Sequence, residues 1–193
     1  MIPLLLKLRL KNIEYLSKGK RGIIYKAEYK GKRVSIKTKL PSSSAKGRIK
    51  NEGKFLKILN KYKIGPKLIK NKNNYLMYEY IEGEFLPTFL EREQDKKIRR
   101  KIIIKILKQV RTLDKLKINK LEFTRPLKHV FIKNGSVTMI DFERCYYTES
   151  PKNVTQFCQF LINRKLMAKN INLLQQYKEN QTEKNFKEIL RTI

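Results

Sequence analysis

Negative charge is what this chain has least of. Only 17 of its 193 residues are Asp or Glu, against 46 Lys or Arg, and the formal net charge is +29. Such an imbalance projects a strong positive field that attracts RNA, DNA, ribosomes or acidic proteins. The same composition also arises as a habit: Lys, Ile and Asn are abundant throughout, as in an AT-rich genome, and Lys-rich surfaces suit hot environments. Both the shortage of acids and the surplus of Lys exceed what solubility requires. A single histidine excludes a His-rich metal site, and the two cysteines, Cys145 and Cys158, match no metal-ligand spacing and read as small core residues. Long apolar runs are missing too. The opening MIPLLLKLRL is broken by Lys7 and Arg9 and has no small-residue cleavage site, so it does not read as a signal peptide. No segment approaches the ~20 apolar residues of a membrane helix. The expectation is a cytoplasmic protein with no membrane partner. Glycine and proline are few, at 8 and 6, and there is neither a low-complexity tract nor a repeat. With 40% hydrophobic residues, the chain reads as globular, either one domain or two tightly joined lobes.

The hydrophobic pattern divides the chain near residue 81. IEYLS, GIIYKAEYK and RVSIKTKL predict a three-stranded antiparallel meander, with turns at KGKRG and Lys30-Gly31-Lys32. After the loop PSSSAKG, the stretch RIKNEGKFLKILNKY spaces Ile49, Phe55, Leu56, Ile58 and Leu59 as a helix does, and Gly65-Pro66 closes it. Strand-like KLIKN and NYLMYEYI follow. From Asp95 onward, Ile98, Ile102, Ile106, Val110 and Leu113 make the apolar stripe of a long helix. HVFIK and SVTMID predict a hairpin around Asn134-Gly135. Ser150-Pro151 is expected to cap a helix carrying Val154, Phe157, Cys158 and Leu161, and Thr182 a last helix carrying Phe186, Ile189 and Leu190.

Four features with chemical potential fall in order along this pattern. LSKGKRGIIYKA sets Gly19 and Gly22 at the first hairpin turn, where a backbone without side chains can approach phosphate oxygens, or simply turn. VSIK places Lys37 on a strand beside Val34 and Ile36, and Glu52 in the next helix is positioned to pair with it or to remain a surface charge. KLEFTRPLKHVFIKNGSVTMIDFE brings His129 and Asp141 to neighbouring ends of a hairpin, a placement that suits a shared cation. Of the three aspartates, Asp95, Asp114 and Asp141, the last alone follows an apolar strand run.

In that order the chain resembles the protein kinase superfamily: LSKGKRGIIYKA is similar to the Gly-rich loop, VSIK to the strand motif bearing the ATP lysine, and IDFE to DFG. The resemblance spans nearly the whole chain. It is greatest toward small atypical kinases, such as the RIO kinases and the kinase subunit of the tRNA-threonylcarbamoylation complex, and greater still toward short archaeal serine/threonine kinases carrying RPLKHV and NVTQF, here Arg125 to Val130 and Asn153 to Phe157. It implies an α+β, two-lobed protein-kinase-like fold. Residues 1–81 would form an antiparallel β N-lobe with one helix, and 82–193 a reduced, mainly helical C-lobe. It implies that ATP is bound along Ser17, Gly19, Gly22 and Ile24, by Lys37 anchored on Glu52, and by the hinge MYEYIEG through Glu79 and Ile81. Asp141, with His129, would hold Mg2+ or Mn2+, the imidazole favouring manganese.

The chain also departs from that pattern. Ser17 replaces the first glycine of the loop. Aligning His129 with the metal-binding Asn puts Thr124 at the catalytic Asp position, and threonine is no carboxylate base. Glu122, two residues earlier, is the preferred substitute, with Arg125 supporting the phosphates or the loop. Glu143 stands where DFG has glycine, which implies a fixed rather than phosphorylation-switched segment. The expected activity is ATP-dependent transfer to a protein Ser or Thr. Two alternatives stay open: a nucleotide-binding pseudokinase serving as an RNA- or ribosome-associated adaptor, and a small-molecule kinase.

Overall fold

A computed structural model describes residues 8–19, 22–40 and 47–193. The expectations for residues 1–7, for Lys20 and Arg21 at the first hairpin's tip, and for most of PSSSAKG lie outside the described residues. The architecture is α+β and separates into two compact units, Met1–Glu82 with Ile140–Arg144, and Gly83–Met139 with Cys145–Ile193. Residues 140–144, read from the sequence as part of the second half, therefore belong to the first unit. Among the described residues, no helix is long and apolar enough to cross a membrane.

Among the described residues, the first unit is a five-stranded antiparallel sheet carrying one helix. Strands β1 (Lys11–Lys18), β2 (Gly22–Tyr29) and β3 (Lys32–Lys39) form the expected meander, and β4 (Leu68–Asn71) and β5 (Tyr75–Glu79) complete the order β1-β2-β3-β5-β4. The β2–β3 turn holds Lys30 at φ 50° and Gly31 at φ 72°, the left-handed pair that a two-residue hairpin loop requires. Alternation along the strands separates two faces. Ala27, Val34, Ile36, Tyr75 and Met77 form a buried cluster on one. Lys37, offset by one residue from Ile36, lies on the other, where helix α1 (Arg48–Leu59) buries Phe55, Leu56 and Leu59. Helix α1 ends earlier than Gly65-Pro66. A 3-10 turn over Asn60–Tyr62 follows, and Lys63, at φ 57°, reverses the chain.

The second unit is mainly helical. A short strand β6 (Glu84–Phe85) leads into α2 (Leu86–Arg92), then α3 (Lys96–Lys115), whose N-terminus is capped by the Asp95 carboxylate accepting from the Lys97 and Ile98 amides. Ile102, Ile106, Val110 and Leu113 are buried as the stripe predicts, whereas Ile98, in the first turn, is 40% exposed. Strand β7 (Ile118–Asn119) precedes a 3-10 turn, Leu121–Thr124. Strands β8 (Val130–Lys133) and β9 (Ser136–Met139) form the hairpin over Asn134 and Gly135, both with positive φ. β6 pairs with β8, and β10 (Tyr146–Tyr147) with β7.

Helices α4 (Asn153–Asn163), α5 (Ile171–Glu179) and α6 (Glu183–Arg191) complete the unit. Thr182 caps α6 by accepting from the Asn185 amide. Ser150-Pro151 does not cap α4; the helix starts at Asn153, and the Asp114 carboxylate of α3 accepts from the Asn153 and Val154 amides. Both cysteines are buried and free. Burial, with the Asp114 charge adding to it, pushes the Cys158 thiol up to about 12, so it is an inert core group.

Candidate functional site

The first unit gathers three carboxylates around one ammonium. Lys37 Nζ lies 2.7 Å from Glu52 Oε2, 3.0 Å from Asp141 Oδ1 and 3.0 Å from Glu143 Oε2. Burial opposes the charge on Lys37, but Glu52, Asp141 and Glu143 together outweigh it and hold the ammonium well above its ordinary range. Glu52 moves up as well, because burial and the neighbouring carboxylates exceed the pull of Lys37.

Local structure explains how these groups meet. Cross-strand neighbours share a face of the sheet, and the registers Ser17↔Ile24 and Ile24↔Lys37 place these three residues in one row across β1, β2 and β3. Glu52 projects from the second turn of α1 and also accepts from the Phe142 amide at 3.3 Å. Asn51 Nδ2 donates to the Glu143 carbonyl at 3.0 Å, and Arg48 reaches the same oxygen at 3.4 Å. One helix therefore grips Phe142 and Glu143 through three polar side chains, Arg48, Asn51 and Glu52. Asp141 itself is held at φ 63°, a left-handed conformation that costs a non-glycine residue about 1–2 kcal/mol. That cost is offset by the bonds to the two residues after it and by its own contact with Lys37.

Phe142 anchors the segment in the apolar layer and is 1% exposed. Gly65 makes room for it: at φ 77°, a Cβ there would lie 2.7 Å from Leu56 Cδ1 and 2.9 Å from Phe142 Cε2. Gly65→Ala combines left-handed strain with overpacking and is expected to cost about 2–4 kcal/mol. The urea midpoint measures this, and an unchanged midpoint would contradict the packing account. Gly22 is likewise constrained, since a Cβ would meet the Thr38 carbonyl at 2.7 Å. Gly19 differs. Among the described residues, the atom nearest a Cβ built there is the Gly22 carbonyl, at 3.8 Å.

Beside the cluster is a cleft lined by Lys37, Lys39, Arg48, Asn73 and Glu143, so cationic groups face the carboxylates across it. The Glu79 amide donates to the Lys67 carbonyl at 2.9 Å and so has no N–H to offer a ligand. Ile81 follows β5, half-buried.

The remaining expected residues, Glu122, Arg125 and His129, belong to the second unit. Glu122 is bound by Lys120 at 2.9 Å, with side-chain exposures of 8% and 0%. Arg125 is exposed and His129 half-buried. Sequence reasoning gave Lys120 no partner and Glu143 no role beyond a missing glycine, and it passed over Asn51 and Arg48.

Three carboxylates, Glu52, Asp141 and Glu143, present oxygens all within 4.8 Å of one another. Against the one Lys37 ammonium they leave two formal negative charges, the complement of a divalent cation, and an all-oxygen set suits Mg2+ or Mn2+. No protein-family model and no curated protein matches this chain.

Proposed function

We propose that the chain is an ATP-dependent phosphotransferase of the protein-kinase-like class, acting on a Ser or Thr hydroxyl of a protein. The observation that carries this reading is the buried Lys37–Glu52 pair at 2.7 Å with Asp141 on the same ammonium. In this reading Lys37 binds phosphate oxygens, and Glu52 fixes the lysine's position. Asp141 and its neighbouring carboxylates would hold a divalent cation, which neutralises phosphate charge when bound. The backbone at Gly19, without a side chain, would allow close approach, while Ser17 and Ile24 share the row of Lys37. Glu79 would present its carbonyl, and Ile81 its backbone, to the base. Glu122 is assigned to the acceptor hydroxyl, Arg125 to phosphate or loop support, and His129 to a secondary cation contact. Phosphoryl transfer needs little covalent work from the protein, so positioning and charge carry the rate.

The test is transfer from γ-labelled ATP with Mg2+ and Mn2+ in parallel, to the protein itself and to protein substrates. Asp141→Ala is expected to lower the rate by about 100-fold or more, and Glu122→Gln by about 100-fold. No transfer by wild type under either metal would remove the reading.

The adaptor reading has its own observation: Glu122 is tied to the buried Lys120, and the position aligned with a catalytic Asp is Thr124. A nucleotide-binding pseudokinase would bind RNA through its positive field, with affinity falling steeply as salt rises. Salt-insensitive or absent RNA binding would exclude it.

A further inference from the structure

An ammonium has three N–H donors. Lys37 directs them at three different carboxylates, at 2.7, 3.0 and 3.0 Å, and its side chain is 11% exposed. Its donor capacity is filled before any ligand arrives. A phosphate oxygen that is to reach Lys37 must first displace a carboxylate, and it must enter a site with excess negative charge.

The three carboxylates are not equally displaceable. Glu52 is buried and accepts from the Phe142 amide as well as from Lys37, so it stays. Asp141, with its side chain 31% exposed, faces solvent in part. Glu143 is fixed through its backbone carbonyl by Asn51 and Arg48, and its carboxylate also borders the cleft of Lys39 and Arg48. Its side chain is only 7% exposed, so leaving the ammonium means a rotation into that cleft while the main chain holds.

We propose that Glu143 is a cation-controlled gate on the Lys37 site. Without a divalent cation, Asp141 and Glu143 occupy the ammonium and their charge repels a polyphosphate. A cation that draws these carboxylates to itself frees N–H donors on Lys37 for the phosphate. Cation and nucleoside triphosphate then bind with positive coupling, each tightening the other by the same factor. This rests on the nucleotide reading above and adds how that site is controlled.

The experiment is calorimetric titration of ATP into the full chain, with EDTA and with Mg2+ or Mn2+, for wild type, Glu143→Ala and Glu143→Gln. Free ATP differs in charge from its metal complex for every protein, so the comparison between variants under one condition is the one that counts. Metal-free affinity is expected to rise roughly tenfold or more in Glu143→Ala, as follows from removing one charge a few ångströms from the ligand. Glu143→Gln, which removes the charge and keeps the shape, should move the same way. A second readout needs no nucleotide: acylation of Lys37, followed by mass spectrometry, should be slow in metal-free wild type and faster in Glu143→Ala or with cation. A damaged fold would also uncover Lys37 and speed its labelling, so the gain of ATP affinity is the readout that separates the gate from lost structure. Equal metal-free affinity and equal Lys37 labelling in wild type and both variants would overturn the gate and leave the nucleotide reading standing. No ATP binding by any of the three proteins with cation present would overturn that reading, and the gate with it.

Discussion

Lys37→Met is expected to unfold the first unit at neutral pH and to leave it folded in acid. The substitution preserves an apolar stem of similar length but strands three carboxylates whose oxygens lie within 4.8 Å of one another. Breaking a buried ion pair from one side costs about 3–5 kcal/mol, which rivals the whole stability of a small domain. The pH dependence follows from the direction of each shift. Glu52 is already raised above 4.5 by burial, and Lys37 is the group that pulls it down, so removing Lys37 raises it further. A carboxyl whose folded value is raised contributes stability below its unfolded value and loses it as pH climbs through the folded one. The variant's melting temperature should therefore fall steeply between about pH 4.5 and neutrality. Wild type shares this loss in smaller measure, because Lys37 holds its Glu52 lower. Its lysine is raised well above 10.5, so the stability from that group is complete below 10.5 and is lost only at higher pH. Thermal melts of both proteins across this range measure the difference, and parallel pH profiles would contradict the charge account. Mg2+ should raise the variant's melting temperature more than the wild type's, because a cation bound only by the folded state replaces the missing positive charge.

Much of this cluster is legible in the sequence because its parts are local and ordered. A lysine on the polar side of an otherwise apolar strand, an acid in the next helix, and one aspartate after a strand run identify Lys37, Glu52 and Asp141. Glu143 is harder to read for a physical reason. Comparison with a glycine-bearing motif treats it as lost backbone freedom, and so gives its side chain no task. Yet acids are few in this chain, so an acid two residues after Asp141 carries a readable signal. Arg48 lies one helical turn before Glu52, on the face of α1 that meets residues 141–143, and Asn51 lies beside it.

The fold follows the same division between near and far. The Lys30-Gly31 and Asn134-Gly135 hairpins, the buried stripe of α3 and the Thr182 cap are set by neighbours in sequence, and each forms as its residues dictate. The start of α4 and the placement of residues 140–144 are not. The first depends on Asp114, at the other end of a 39-residue separation, and the second on contacts with Lys37 more than 100 residues away. A proline after a serine is a sound local cap signal, but a remote carboxylate that accepts from two helix amides supersedes it.

Asn153→Ala is accordingly expected to be the most damaging single truncation in the second unit. Asn153 is fully buried and all its side-chain polar atoms are engaged. Its Nδ2 donates to Asp114 Oδ1 and to the Ile118 carbonyl, both at 2.7 Å, and its Oδ1 accepts from the Lys120 amide at 2.8 Å. Asp114 in turn accepts from Tyr177 Oη at 3.0 Å, and Arg111 donates to that same hydroxyl. Alanine would leave a buried carbonyl and a buried amide without partners and would withdraw a donor from a buried carboxylate. Each orphaned group costs about 1–3 kcal/mol, so a loss of about 3–5 kcal/mol is expected. Tyr177→Phe removes one bond from Asp114 and should cost less, about 1–2 kcal/mol. Burial already raises Asp114 despite its bonds from Asn153 and Tyr177, and either variant should raise it further. The penalty should therefore shrink in acid, because a protonated Asp114 is what the burial favours. Urea midpoints at two pH values give both results, and a loss below about 1 kcal/mol for Asn153→Ala would refute the network account. Asn153 also holds the amide of Lys120, the residue bound to Glu122. Damage there is passed through Lys120 to Glu122.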